Sequence, residues 1–71
     1  MYDFNTTVGQ VLDNYEAARA LDEVIPGASS SEKLQAARSF TLERIANTPG
    51  AGISEYEIQE FLRRINERTH S

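Results

Sequence analysis

The sequence predicts an all-α fold, a compact three-helix bundle that forms a single small domain over residues 1–71. Three observations carry that expectation. Apolar residues recur at helical spacing in three segments, about 6–24, 30–47 and 55–69. The segments are separated by Pro26-Gly27-Ala28-Ser29-Ser30-Ser31 and Thr48-Pro49-Gly50-Ala51-Gly52, where proline cannot continue a helix and glycine accepts positive φ. No stretch alternates apolar and polar residues as a half-exposed strand would.

In the first segment Val8, Val11, Leu12, Tyr15 and Ala18 share one helical face. Asp3, Asn5 and Thr6 each suit the N-cap, and Gly9, about 1 kcal/mol worse than alanine in a helix interior, points to a frayed or later start. Arg19 and Asp22 continue the apolar face at i,i+3, a spacing that lets them pair. Leu21, Val24 and Ile25 lie on another side, and Pro26 ends the helix.

The second segment opens with Ser29 and Glu32 at the spacing of a capping box, in which the serine oxygen takes a free amide and the glutamate reaches back. Leu34, Ala37, Phe40, Leu42, Ile45 and Ala46 cover a wide arc, as expected of a helix lying between two others. Arg38 and Arg44 flank that arc, with their stems on the core edge and their heads in water.

The third segment carries the fullest set of signals. Ser54 and Glu57 repeat the capping-box spacing, and Ile53 and Ile58 sit at the positions of a hydrophobic staple. Ile58, Phe61, Leu62 and Ile65 form a narrow apolar stripe. Glu55, Glu57 and Glu60 precede Arg63, Arg64, Arg68 and His70, a gradient that complements the helix dipole, and Glu60 stands four residues before Arg64. The expected core is Val8, Val11, Leu12, Tyr15, Leu34, Ala37, Phe40, Ile45, Ile58, Phe61, Leu62 and Ile65.

Composition narrows the function. There are 7 Lys+Arg against 11 Asp+Glu, a net charge of -4, and no cysteine, so neither a disulfide nor a thiolate metal site is possible. A chain this short buries only about 60% of its unfolded surface, which favours association with a partner or with itself. No apolar run approaches a membrane span and no basic-then-apolar leader opens the sequence, so a cytoplasmic protein without membrane contact is expected.

Catalysis is disfavoured, and no cofactor or metal is expected. The lone histidine, His70, stands next to the last residue, a poor place to hold an imidazole. Gly50-Ala51-Gly52 precedes a helix but lacks the Walker Lys-Ser/Thr pair, and Glu55 and Glu57 would repel an anion there. Of the carboxylate pairs Asp22 with Glu23 and Glu57 with Glu60, most read as solvated helix surface, and Asp22 is ambiguous because it continues the apolar face.

Three functional readings follow. The leading one is a small acidic, non-enzymatic interaction or regulatory module that binds a protein partner or self-associates. Its candidate contact residues are Tyr56, Arg63, Arg64 and Arg68, residue types enriched at interface hot spots. Tyr2 and Phe4 either cap the core or form a second anchor. The second reading is a helix-turn-helix DNA-binding regulator, which the negative net charge and single lysine, Lys33, oppose. The third is an oligomer that holds a phosphorylated small molecule at subunit interfaces, with Arg19, Arg38 and Arg44 joining the C-terminal arginines.

Overall fold

The computed structural model describes residues 2–69. Among them are five α-helices, α1 (Val8–Leu12), α2 (Tyr15–Val24), α3 (Glu32–Ala36), α4 (Leu42–Ala46) and α5 (Glu55–Thr69), with a 3-10 turn at Ala28–Ser30 and no strand. The all-α class holds. The three-helix count does not, because the first two segments are each broken into two helices.

The first break falls at Asn14. Its backbone is extended (φ -104°, ψ 121°) and its Oδ1 accepts the Ala17 amide at 3.0 Å, so it caps a new helix. The cap resets the helical phase. α2 therefore buries Ala17, Ala20 and Leu21, at i, i+3 and i+4, with Val24 packed behind them. Tyr15, expected in the core, is 72% exposed, and the Arg19 guanidinium lies 5.6 Å from its ring centre. The expected pairing of Arg19 with Asp22 gives way as well. Asp22 instead accepts the Ser29 amide at 2.8 Å and the Ser29 hydroxyl at 2.6 Å, which fastens the 3-10 turn to α2.

The second segment breaks for a related reason. Ser29 is occupied by Asp22, so Ser31 caps α3 by accepting the Leu34 amide, in place of the expected box from Ser29 to Glu32. The α3 helix ends at Ala37, and Thr41, extended at φ -74° and ψ 162°, caps α4 through the Arg44 amide.

Thr7 does the same for α1. Its hydroxyl accepts the Gln10 amide, and the Gln10 side chain accepts from the Thr7 amide, a capping box at Thr7 in place of the expected candidates Asp3, Asn5 and Thr6. Thr7 and Thr41 then face each other as an isolated antiparallel bridge. Val8 donates to the Phe40 carbonyl (2.8 Å) and Leu42 to Thr6 (2.9 Å). Gly9 donates to Arg38 (2.9 Å) and Glu43 to Phe4 (3.0 Å). The two sets of bonds correspond under a local two-fold rotation. The first three amides of each helix, which no helix can satisfy internally, thus find acceptors in the other segment or in the cap. Gly9 permits the approach: a Cβ there would stand 3.1 Å from the Arg38 carbonyl oxygen.

The third segment folds as the sequence predicts. The Ser54 amide donates to Glu57 Oε1 at 2.9 Å and the Glu57 amide to Ser54 Oγ at 3.2 Å. Ile58, Phe61 and Ile65 are fully buried, and Ile53 packs against the same core. Tyr2 and Phe4 pack there too, which resolves the alternatives for this pair in favour of core capping. The Tyr2 ring meets Phe61 edge-on at 6.4 Å, and the Tyr2 backbone exchanges two 3.0 Å hydrogen bonds with the Asn66 amide side chain. This fastens the N-terminal segment to α5. The remaining expected core residues are buried (Val8, Val11, Leu34, Ile45, Leu62) or packed against the buried cluster (Leu12, Ala37, Phe40). The accessible surface of 4428 Å² matches the roughly 4,400 Å² expected of a folded monomer of this mass, so the chain has no general excess of uncovered surface.

Candidate functional site

Two surfaces merit comparison: the arginine-bearing side of α5, and a trough between the two Pro/Gly loops.

On α5 the four residues expected at an interface divide. Tyr56, in the first helical turn, is 74% exposed. Arg63 is also open to solvent but pairs along its own helix with Glu60 and Glu67. Arg64 and Arg68 reach across to α2, where both bind Glu23, and Arg64 also takes Glu60 at 3.2 Å. The hydrogen bond from Arg68 is the main reason the Glu23 carboxyl is held below its usual range, and Arg64 adds to it. Glu60 is lowered chiefly by the hydrogen bond from Arg63 and then by that from Arg64. In return Glu60 raises Arg63, while Glu23, with a smaller contribution from Glu16, raises Arg68. Arg64 and Arg68 thus tie α5 to α2. His70, placed with this group by the sequence, lies outside the described residues.

The carboxylates considered for acid–base work are also engaged. Asp22 holds Ser29, Glu23 holds Arg64 and Arg68, Glu57 caps Ser54, and Glu60 holds Arg63 and Arg64. Among the described residues no group of three or more histidine, cysteine, aspartate or glutamate side chains is arranged to hold a metal.

The trough has a different character. The turns at Gly27 and Gly50 take φ of 82° and 84°, which glycine tolerates and other residues resist, and they carry the two loops around α3. Between them lie two adjoining clefts that share Leu34 and Ala51. The larger, about 300 Å³, is walled by Ile25, Ala28 and Ile53. The smaller, about 190 Å³, is walled by Ala37, Phe40, Ile45 and Pro49, with Lys33 at its edge. No carboxylate lines either cleft. Arg44 lies with its guanidinium 4.3 Å from the centre of the Phe40 ring. A third cleft, about 280 Å³, lies near Phe4 on the other side of α4 and carries Glu43 and Glu55.

Sequence reading passed over the trough because its walls come from loops and short helices distant in sequence. The signal available was the two Pro/Gly loops, one on either side of Leu34 and Phe40.

Among the described residues no helix is long and apolar enough to cross a membrane. Comparison with protein-family models, characterised proteins and solved structures finds no match, so function rests on this chain's own residues.

Proposed function

We propose that the chain is a non-catalytic protein-interaction module whose contact surface is the trough between the Pro/Gly loops. One observation supports this reading above the others: two open clefts, the smaller of them mainly apolar, meet at Leu34 and Ala51 with no acid or base in their walls except Lys33. Such a lining suits the capture of apolar side chains and offers little for proton transfer or nucleophilic attack. Tyr56 and the open face of Arg63 form a second contact candidate. Arg64 and Arg68, engaged with Glu23, act first as a structural tie in this reading.

The ion pairs weigh against the other two readings. Phosphate binding, whether to DNA or to a small molecule, would draw on arginines, and Arg38, Arg63, Arg64 and Arg68 already face carboxylates. The first turn of α5, where a DNA-reading helix approaches bases, presents Glu55, Tyr56 and Glu57.

Ala51 supplies the test, because it lines both clefts and lies outside the buried core. Ala51→Trp fills the trough. Affinity capture from the native host is expected to recover a stoichiometric protein with the unchanged chain and to lose it with the variant, at an unaltered melting temperature. Undiminished capture would reject the trough as the contact surface. Tight, salt-sensitive binding to random duplex DNA would reject the interaction reading in favour of a nucleic-acid regulator.

A further inference from the structure

We infer that the cleft beside Phe4 is a second contact surface, one that takes an arginine side chain from a basic segment of a partner protein. The inference goes beyond the trough reading and does not rest on it.

The fold builds this cleft on the side of α4 that carries Glu43, Ala46 and the capping residue Asn47, at i, i+3 and i+4. The Glu43 amide donates to the Phe4 carbonyl at 3.0 Å, which lays the N-terminal segment against α4. Glu55, the first residue of α5, completes the lining. Phe4 and Ala46 supply the apolar part, and both pack on the core with some of their surface left open. At about 280 Å³ the cleft falls below the roughly 300–1,000 Å³ of small-molecule pockets and suits one long side chain.

The argument is charge complementarity. Of the 11 carboxylates in the chain, Asp13, Glu23, Glu60 and Glu67 are ion-paired, and Asp3, Asp22 and Glu57 accept hydrogen bonds within the fold. The others are Glu16, Glu32, Glu43 and Glu55, and among the described residues none of their carboxylates accepts a hydrogen bond or forms an ion pair. Glu16 lies on α2, where it acts on Arg68, and Glu32 adjoins Lys33 in α3. Glu43 and Glu55 line the same cleft, and no basic residue stands in its walls. Arg44, the neighbour of Glu43, lies on the Phe40 ring. Asn47 donates its side-chain amide to the Glu43 carbonyl at 3.0 Å, and its Oδ1, which accepts nothing among the described residues, is a third acceptor in the wall.

Two uncompensated carboxylates and an amide oxygen around an apolar wall select a ligand with a cationic head and an apolar stem. Arginine has both. Its planar fork divides five donors among separate acceptors and packs on an aromatic ring, whereas a lysine ammonium is a compact, strongly hydrated charge. The net charge of -4 draws a basic segment toward the chain and repels nucleic acids and anionic lipid.

The test starts from random linear peptides displayed on phage and selected on the full chain at low salt. Selected peptides are expected to share an arginine, and the synthetic winner is expected to shift the amide resonances of Glu43, Ala46, Asn47 and Glu55. Glu43→Gln and Glu55→Gln are each expected to weaken that peptide about fivefold. Glu16→Gln and Glu32→Gln make the same change of charge away from the cleft and are expected to leave the affinity unchanged. All four positions are exposed, so an unaltered melting temperature is expected throughout. Equal weakening by all four substitutions would show that the peptide reads net charge alone and would overturn the inference. Winners without arginine, winners that bind equally well with lysine in its place, winners that map to Lys33, Leu34 and Ala51, or no winner at all would overturn it too. Ala51→Trp fills the trough and is expected to leave this peptide bound, so the two contact surfaces stand or fall separately.

Discussion

The α2 and α5 pair and the α3 and α4 side are built from the same kinds of residue to different ends. The first joins the two longest helices through a shared apolar seam and closes its edge with Glu23, Arg64 and Arg68. The second uses two five-residue helices, too short to be stable alone, held by caps, the 3-10 turn and pairing with the 6–9 segment. One side buries its bulk, and the other leaves a trough open. A chain of this size can thus concentrate its buried surface in one half and leave a trough open in the other, and four expected outcomes probe that division.

The largest effect belongs to the seam. Phe61 is fully buried and receives the Tyr2 ring, so Phe61→Ala is expected to cost about 3–5 kcal/mol in chemical denaturation. Phe40→Ala, on the half-buried trough wall, is expected to cost clearly less. Equal losses would erase the contrast.

Next comes the junction between the halves. Gly9→Ala would gain about 1 kcal/mol if helix propensity decided the outcome. Its Cβ would instead press on the backbone oxygen of Arg38, so a net loss of about 1–3 kcal/mol is expected. A stabilised variant would show that the close pairing of the two segments yields easily.

A smaller change is expected at the start of α5. Ser54→Ala removes the oxygen that accepts the Glu57 amide and is expected to cost about 1 kcal/mol. An unchanged denaturation midpoint would mean that the helix does not depend on its capping box.

The subtlest is the pH response of the tie. The folded Glu23 carboxyl is held below its ordinary value of 4.5, so the charged form is favoured by folding. Its contribution is fully present above that ordinary value and is lost as pH falls through the lowered one. Glu23→Gln is expected to flatten this part of the acid limb in a pH series of melting curves. An acid limb identical to that of the unchanged chain would place the pH sensitivity elsewhere.

The same division explains what could be read in advance. α5 was legible because its cap, staple, apolar stripe and charge gradient are all local and agree with one another. The breaks at Asn14 and Thr41 were not, because each depends on a side chain choosing to cap rather than continue a helix. A helix that runs unbroken through Asn14 has a different phase, which places Tyr15 on the core face in place of Ala17, Ala20 and Leu21. Ser29 looked like a cap because its partner Asp22 lies seven residues back and on another element. The arginines of α5 form a recognisable group in the sequence, but their tie to Glu23 spans more than forty positions, and Ile25 and Ile53, which line one cleft, are also far apart in the chain.

Native-state hydrogen exchange on the intact chain tests the division most directly. Amides of Phe61, Leu62 and Ile65 in α5 are expected to exchange only through global unfolding. The Gln35 amide, bonded to Ser31, and the Ala51 amide, bonded to Thr48, are expected to exchange through smaller openings. A single opening free energy shared by all five would contradict the account.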